Sequence, residues 1–419
     1  MPGAVATRAS TADAAPGGLR LPDSPDLPRM RSERHARLQA ELDRRDVPAM
    51  LLTCSGAVQY AVGPSVVTGD GGRATHQRTS ALVVAGDDRP HLFTPHPDGA
   101  PPELADDHVH PALYLESPGG AAAAWDAVCE LAGGPPARLA ADDLGAALHH
   151  SLAGSLGADG LVDAARLLGP ARLCKTPDEL ACIRAAQHLN ETAMYEVQRA
   201  LRPGIRQTDL TGVLLRTAFE LGATANSIDP IWQVMGRSRA DGPFTTNGDV
   251  AFPLVTTDRV LEEGDVLWTD SGLQVHGYNS DFGRTWIVSD DPRPSPRQAD
   301  QFERWRAVVG AVLDRVRPGA TGADLTGAAR AAAGGDTPWL AHFYLVHGLG
   351  TESAEGPLIG TDAGPEADAR LVLAPGMVLV IEPVIWDDGE GGYRSEEIVA
   401  VTDEGWVALS DHPYDPFGR

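Results

Sequence analysis

The chain has 419 residues, 42% hydrophobic and 22% charged, with a formal net charge of −24. That length exceeds one ordinary core and favours two domains, while so negative a field argues against nucleic acid or an anionic membrane as partner. Four cysteines, Cys54, Cys129, Cys174 and Cys182, are widely spaced without a CxxC pair, which argues against a disulfide scaffold or zinc ribbon and fits a reducing cytoplasm.

Residues 1–28 are rich in Ala, Gly, Pro and Asp, lack an apolar signal core and read as a flexible tail. No run is apolar and long enough to span a bilayer. Residues 29–170 alternate helix and strand signals, as an α/β domain would. The charged pattern from Met30 to about Asp46 predicts an amphipathic helix, Val47 to Thr53 a buried strand, Ser80 to Gly86 a second strand, and Ala121 to Ala132 a helix. Leu92 to Leu104, with its prolines, reads as loop. His108 and His110 form an HxH pair, but no acids or thiols stand at ligand spacing, so a surface strand is the preferred reading.

A second domain, residues 171–419, opens where Thr176, Pro177 and Glu179 supply a cap, a first-turn proline and an acid three residues after the cap. Its helix runs to about Leu201. RPGIRQTDLTG (Arg202 to Gly212) then recurs as RPGATGADLTG (Arg317 to Gly327), so this domain consists of two similar halves.

Between the repeats, WTDSGLQVHGYNSDFGRTW (Trp268 to Trp286) alternates like a β-hairpin, with Gly272 and Gly277 where a bulge or turn falls. A hairpin can bring Asp270 and Asp281 to one face, where two desolvated carboxylates call for a cation. On spacing alone they fit solvated turn residues as well. His347 in HFYLVHGLG, Glu382 at the end of the apolar PGMVLVIE, and Glu396 or Glu397 ahead of IVAV extend the set. Two Asp, one His and two Glu make a hard, oxygen-rich donor set suited to Mn, Co, Zn or Fe, and carboxylates can bridge two ions.

These motifs resemble the pita-bread metallohydrolases of the Xaa-Pro aminopeptidase, prolidase and creatinase type. RRDVPAMLLTCSGAVQYAVG (Arg44 to Gly63) resembles the opening of the creatinase-type N-terminal domain, and LCKTPDELACIRAA (Leu173 to Ala186) the start of the catalytic domain. The resemblance covers nearly everything after the tail. It implies an α/β (α+β) chain, with a creatinase-like N-terminal α/β domain followed by a pita-bread catalytic domain of two pseudo-symmetric halves. It also implies two divalent metal ions, manganese ahead of Co, Zn or Fe, held by Asp270, Asp281, His347, Glu382 and Glu396, with Glu397 as acidic neighbour. The implied activity is cleavage of a carbon–nitrogen bond in a small amino-acid-like or dipeptide-like molecule by metal-activated hydroxide, in a homodimer; cysteine spacing and net charge add the expectation of a cytoplasmic protein with no nucleic-acid or membrane partner.

The match fails at two histidines that the family's peptidases carry beside the metals. Leu254 and Ala354 stand in their places, and losing such charge-stabilising groups costs about a hundredfold or more in rate. The resemblance therefore implies an atypical member rather than a standard aminopeptidase. Glu352, Glu355 and His342, with His276, are the candidates to substitute in proton transfer. Arg284 and Arg394 match basic positions beside the ligands and suit pairing with ligand or substrate carboxylates. Ile228 to Asp249, with Asp229, Trp232, Arg237 and Arg239, is expected over the pocket, so Trp232, Arg284, Arg394, Leu254 and Ala354 form the substrate-binding set. Two other classes stay open: a metal-dependent lyase resembling dimethylsulfoniopropionate lyase, for which the acids of TESAE would serve, and a non-catalytic metal-binding protein.

Overall fold

A computed structural model describes residues 21–63, 77–115, 117–157, 159–236 and 256–412. The chain divides into two compact units, one formed by Ser24–Asp178 and the other carrying Glu179–Arg419.

The first unit begins with α1 (Leu27–Arg45), capped where Asp26 accepts a hydrogen bond from Arg29 N and ended by Asp46 in the left-handed region. Met30, Arg34, Leu38 and Leu42 recur at helical spacing along its buried face. Its sheet comprises β1 (Ala49–Leu52), β2 (Ser80–Val84), β3 (His91–Thr94), β4 (Val109–Pro111), β5 (Leu139–Ala141) and β6 (Leu161–Asp163), in the order β4-β3-β2-β1-β5-β6. The pairings β1–β2 and β2–β3 are antiparallel, whereas β1–β5, β5–β6 and β3–β4 are parallel. Both faces of β1 are buried: Met50 and Leu52 in one cluster with Leu38, Leu42 and Leu167, Ala49 and Leu51 in another with Ala124, Val128 and Leu148.

Two sequence expectations change here. Residues 92–94, read as part of a loop, belong to β3, because Leu92 and Phe93 are buried and the prolines that suggested a loop begin beyond Thr94. The HxH pair does have acids nearby. His91 Nδ1 lies 3.0 Å from His110 Nε2, His91 Nε2 is 3.1 Å from Asp87, and His108 Nδ1 is 3.0 Å from Asp107.

The second unit carries the repeat as matched structure. After α2 (Pro177–Ala200), α3 (Gln207–Glu220) starts where Asp209 accepts from Arg206 N and from the Arg206 guanidinium; after α4 (Pro296–Leu313), α5 (Gly322–Ala332) starts from a capping box of Thr321 and Asp324. An isolated bridge ties Arg206 to Val260, and its counterpart ties Thr321 to Val372. Gly204 and Gly319 hold φ of 86° and 84°, which is why each copy keeps its glycine.

Each half contributes a sheet. In the first, β8 (Val266–Val275) pairs with β7 (Ala225–Val234), β9 (Tyr278–Asn279) and β10 (Phe282–Ile287). His276 and Gly277, at φ of 51° and 80°, make the two-residue turn between β8 and β9, and the β7–β8 register shifts between Asp270 and Gly272. The second sheet runs β12 (Glu355–Ile359), β11 (Val346–Gly348), β13 (Val378–Ile381), β16 (Glu397–Val401), β17 (Trp406–Ala408). A separate ribbon pairs β14 (Val384–Asp387) with β15 (Gly391–Arg394). This is the α/β pita-bread arrangement of two pseudo-symmetric halves.

Candidate metal centre

Asp270 sits in β8, opposite Gly283 of β10 and Ile231 of β7, so these three share a face. Asp281 immediately precedes β10, His347 is the middle residue of β11, Glu382 follows β13, and Glu396 lies between β15 and β16. The chain crosses between halves to assemble them: Glu396 N donates to Gly283 O, and Thr285 Oγ1 donates to Arg394 O at 2.6 Å. Gln187 Oε1 accepts from Asp281 N, and Asn190 Nδ2 donates to Ser271 O and Ser280 Oγ, so α2 braces the hairpin from behind.

The five side chains converge. One carboxylate oxygen from each of Asp270, Asp281 and Glu396 lies within 4.8 Å of the others. His347 Nε2 is 3.2 Å from Asp281 Oδ2 and 3.6 Å from Glu382 Oε1. Because His347 Nδ1 donates to Gly348 O at 2.9 Å, the ring's other nitrogen turns its lone pair toward the acids. Arg394 spans the cluster, with Nη1 3.2 Å from Asp270 Oδ2 and Nη2 paired to Glu382 Oε2 and Glu396 Oε1; its guanidinium lies 4.6 Å above the Trp268 ring.

Burial raises the Asp270 carboxyl despite Arg394, and lifts Asp281 well above the carboxylate range with help from the Asp270 and Glu382 charges. Burial lifts Glu396 likewise against the pull of Arg394. Burial alone would lower Arg394, but Glu396, Glu382 and Asp270 more than reverse it. One guanidinium among four carboxylates leaves an excess of negative charge, and Asp270 Oδ1, Asp281 Oδ1 and Glu396 Oε2 are buried without a hydrogen-bond donor. Such oxygens are costly in a protein interior unless a cation meets them. The donor set, four carboxylates and an imidazole nitrogen, fits hard or borderline divalent ions.

A cavity of ≈ 200 Å³ opens on the cluster, lined by Asp270, Asp281, His347, Glu382 and Arg394 and, around them, by Ile228, Ile231, Trp268, Leu340, Phe343, Tyr344, Ser353 and Ala354. Burial, then the Glu382 and Asp281 charges, pushes the Tyr344 phenol well up, so it stays protonated.

Other expected site residues lie elsewhere. Trp232 is turned away: it shares its face of the sheet with Thr269 and Arg284, sits in the core beneath α3 and donates from Nε1 to Thr211 Oγ1. Arg284, on that same far face, is buried and donates to Gly283 O, Glu396 O and His412 O, so it braces the Glu396 segment instead of meeting substrate. Arg394 does reach the cavity, but pairs with the cluster's own carboxylates. His342 is exposed and paired with Asp362. Glu355 is buried in β12 against Gly350, Glu352 is half-buried beside it, and none of these three lines the cavity. Glu397, pushed up to about 7 by burial, faces Arg284. Ala354 lines the cavity as expected, whereas Leu254, Arg237 and Arg239 fall outside the described residues. Ile228 and Ile231, from the stretch expected over the pocket, do line the cavity, whereas Leu340, Phe343 and Tyr344 went unrecognised in the sequence; the available signal was the HFYLVH run, which puts Tyr344 three residues ahead of His347.

The model of metallopeptidase family M24 matches residues 181–403, more than half of the chain and all of the cluster. The chain belongs to metallopeptidase family M24. Among relatives of this M24 member, the uncharacterized peptidase YqhT of Bacillus subtilis is 27% identical over 255 residues, covering 60% of this chain and 66% of that one, so the chain spans just under two thirds of YqhT. The probable dipeptidase PepE of Mycobacterium tuberculosis is 29% identical over 296 residues, covering 69% and 72%. The prolidase of Pyrococcus horikoshii OT3 shares the fold, with a TM-score of 0.72 at 20% identity over 92% of this chain and 100% of that one.

Proposed function

We propose that this M24 member is a metal-dependent hydrolase that cleaves the carbon–nitrogen bond of a dipeptide-like or small amino-acid-like substrate in the cavity above the acidic cluster. The observation that carries the reading is the convergence of Asp270, Asp281, His347, Glu382 and Glu396 with buried carboxylate oxygens that no donor satisfies. These five residues would hold two divalent ions, manganese first among Mn, Co, Zn and Fe. When bound, such ions lower the pKa of water and polarise a substrate carbonyl. Arg394 orients Asp270, Glu382 and Glu396 and offsets their repulsion. Ile228, Ile231, Leu340 and Phe343 form the apolar side that receives the substrate and limits water.

The Ala354 methyl cannot donate a hydrogen bond, which supports an optimum away from ordinary N-terminal peptides. A homodimer belongs to the same reading through the family resemblance, and a cytoplasmic location through the four widely spaced cysteines. The test is metal analysis of the purified chain followed by turnover of dipeptides, Xaa-Pro dipeptides and amino-acid amides. Asp270→Ala or Glu382→Ala is expected to abolish cleavage and metal retention together; turnover insensitive to a strong chelator would overturn the reading.

A further inference from the structure

We propose that the Tyr344 hydroxyl donates the hydrogen bond that stabilises the substrate's carbonyl oxygen as negative charge builds on it, an inference that rests on the hydrolytic reading of this site. Tyr344 lines the cavity together with Asp270, Asp281, His347, Glu382 and Arg394. Its ring is fixed from two sides, stacked on Phe343 at 3.9 Å between centroids and tilted against His347 at 4.9 Å. A donor held this way loses little freedom when substrate arrives, the condition under which an oxyanion donor is most effective.

The other donors on the wall are less suited. Arg394 is engaged with three carboxylates, and His347 spends Nδ1 on Gly348 O. Trp268 Nε1 is sealed from solvent. Ser353, in the turn before β12, has no comparable ring packing. Among the described residues the Tyr344 hydroxyl makes no hydrogen bond, so its proton is available to a ligand. A phenol is a neutral donor at neutral pH, and here it supplies a hydrogen bond in a wall whose neighbouring positions, Phe343 and Ala354, have none to give.

Tyr344→Phe removes the hydroxyl and keeps the ring. With both proteins loaded with manganese, the expected result is unchanged metal content and melting midpoint, KM within about twofold, and kcat lower by about a hundredfold. The affinity for a phosphinic pseudodipeptide, whose tetrahedral P–O⁻ mimics the charged oxygen, should fall by about the same factor in calorimetric titration. Wild-type kcat in the variant would overturn the assignment. If the wild-type protein cleaves no amide, the hydrolytic reading falls, and the phosphinate still decides the role of Tyr344: a loss confined to the variant supports it, whereas equal affinity, or no binding by either protein, overturns it.

Discussion

At the scale of single residues, Gly283 shows how closely the two halves meet. It faces Asp270 across the β8–β10 ladder while its carbonyl accepts from Glu396 N. A Cβ at this position would come 2.5 Å from Glu396 Oε1 and 2.7 Å from Arg394 Nη1, so one added methyl must displace a donor or the cation that orients it. Gly283→Ala is expected to weaken manganese binding by about tenfold or more and to destabilise the protein by about 1–3 kcal/mol, read by titration of the metal-free chain; wild-type affinity would show that the cluster does not depend on this approach. On spacing alone Asp270 and Asp281 fitted solvated turn residues and Glu396 was not separated from Glu397, so the five converging donors were legible through the family resemblance. The roles of Arg284 and Trp232 were not, because a one-residue step along a strand reverses the face, and sequence alone did not reveal which face carried Asp270. The other side of the cavity wall was equally hidden, since Leu340 and Phe343 meet the expected Ile228 segment only through tertiary packing.

At the scale of elements, the repeated RPG…DLTG segments were readable as helix stops and starts, and both became glycine turns leading to helices whose DLTG aspartate accepts from the N-cap backbone N–H. β3 was missed because prolines just beyond it outweighed four buried residues. That strand brings His91 against His110 of β4, while His35 on α1 bonds Asp87 O at 2.8 Å. Burial lowers all three histidines below the ordinary value; for His91 and His110 neighbouring histidines add to it, while Asp87 opposes it for His35 and His91. Their folded pKa values lie below the unfolded value near 6.5, so the unfolded chain binds more protons in that window. Their contribution to stability is complete above about pH 6.5 and is lost as pH falls toward the folded values. Melting midpoints from pH 7.5 to 5 should therefore drop more steeply for the wild-type protein than for a His35→Gln, His91→Gln variant. Parallel profiles would remove these histidines as the cause.

At the scale of the whole molecule, the net charge of −24 argues against polyanionic partners, yet the acids of the cluster are few and buried. The duplicated segments disclosed the two halves and the resemblance named the donors, while the way Arg394 bridges those donors became visible only as distances. In the metal-free chain, burial favours the forms of Asp281 and Glu396 that hold a proton. A divalent ion replaces those protons, so binding is coupled both to folding and to pH. A ligand that binds only the folded state stabilises it by about 2.7 kcal/mol when free ligand is at a hundred times its dissociation constant. Scanning calorimetry should accordingly show manganese raising the melting midpoint, more at pH 8 than at pH 6, where protons compete for the same oxygens. A strong chelator should return the midpoint to the metal-free value, and Asp281→Asn should remove most of the metal-induced rise. A midpoint indifferent to manganese, cobalt, zinc and iron at both pH values would mean that the buried oxygens are satisfied by protons and Arg394 alone, and that the cluster is a structural network.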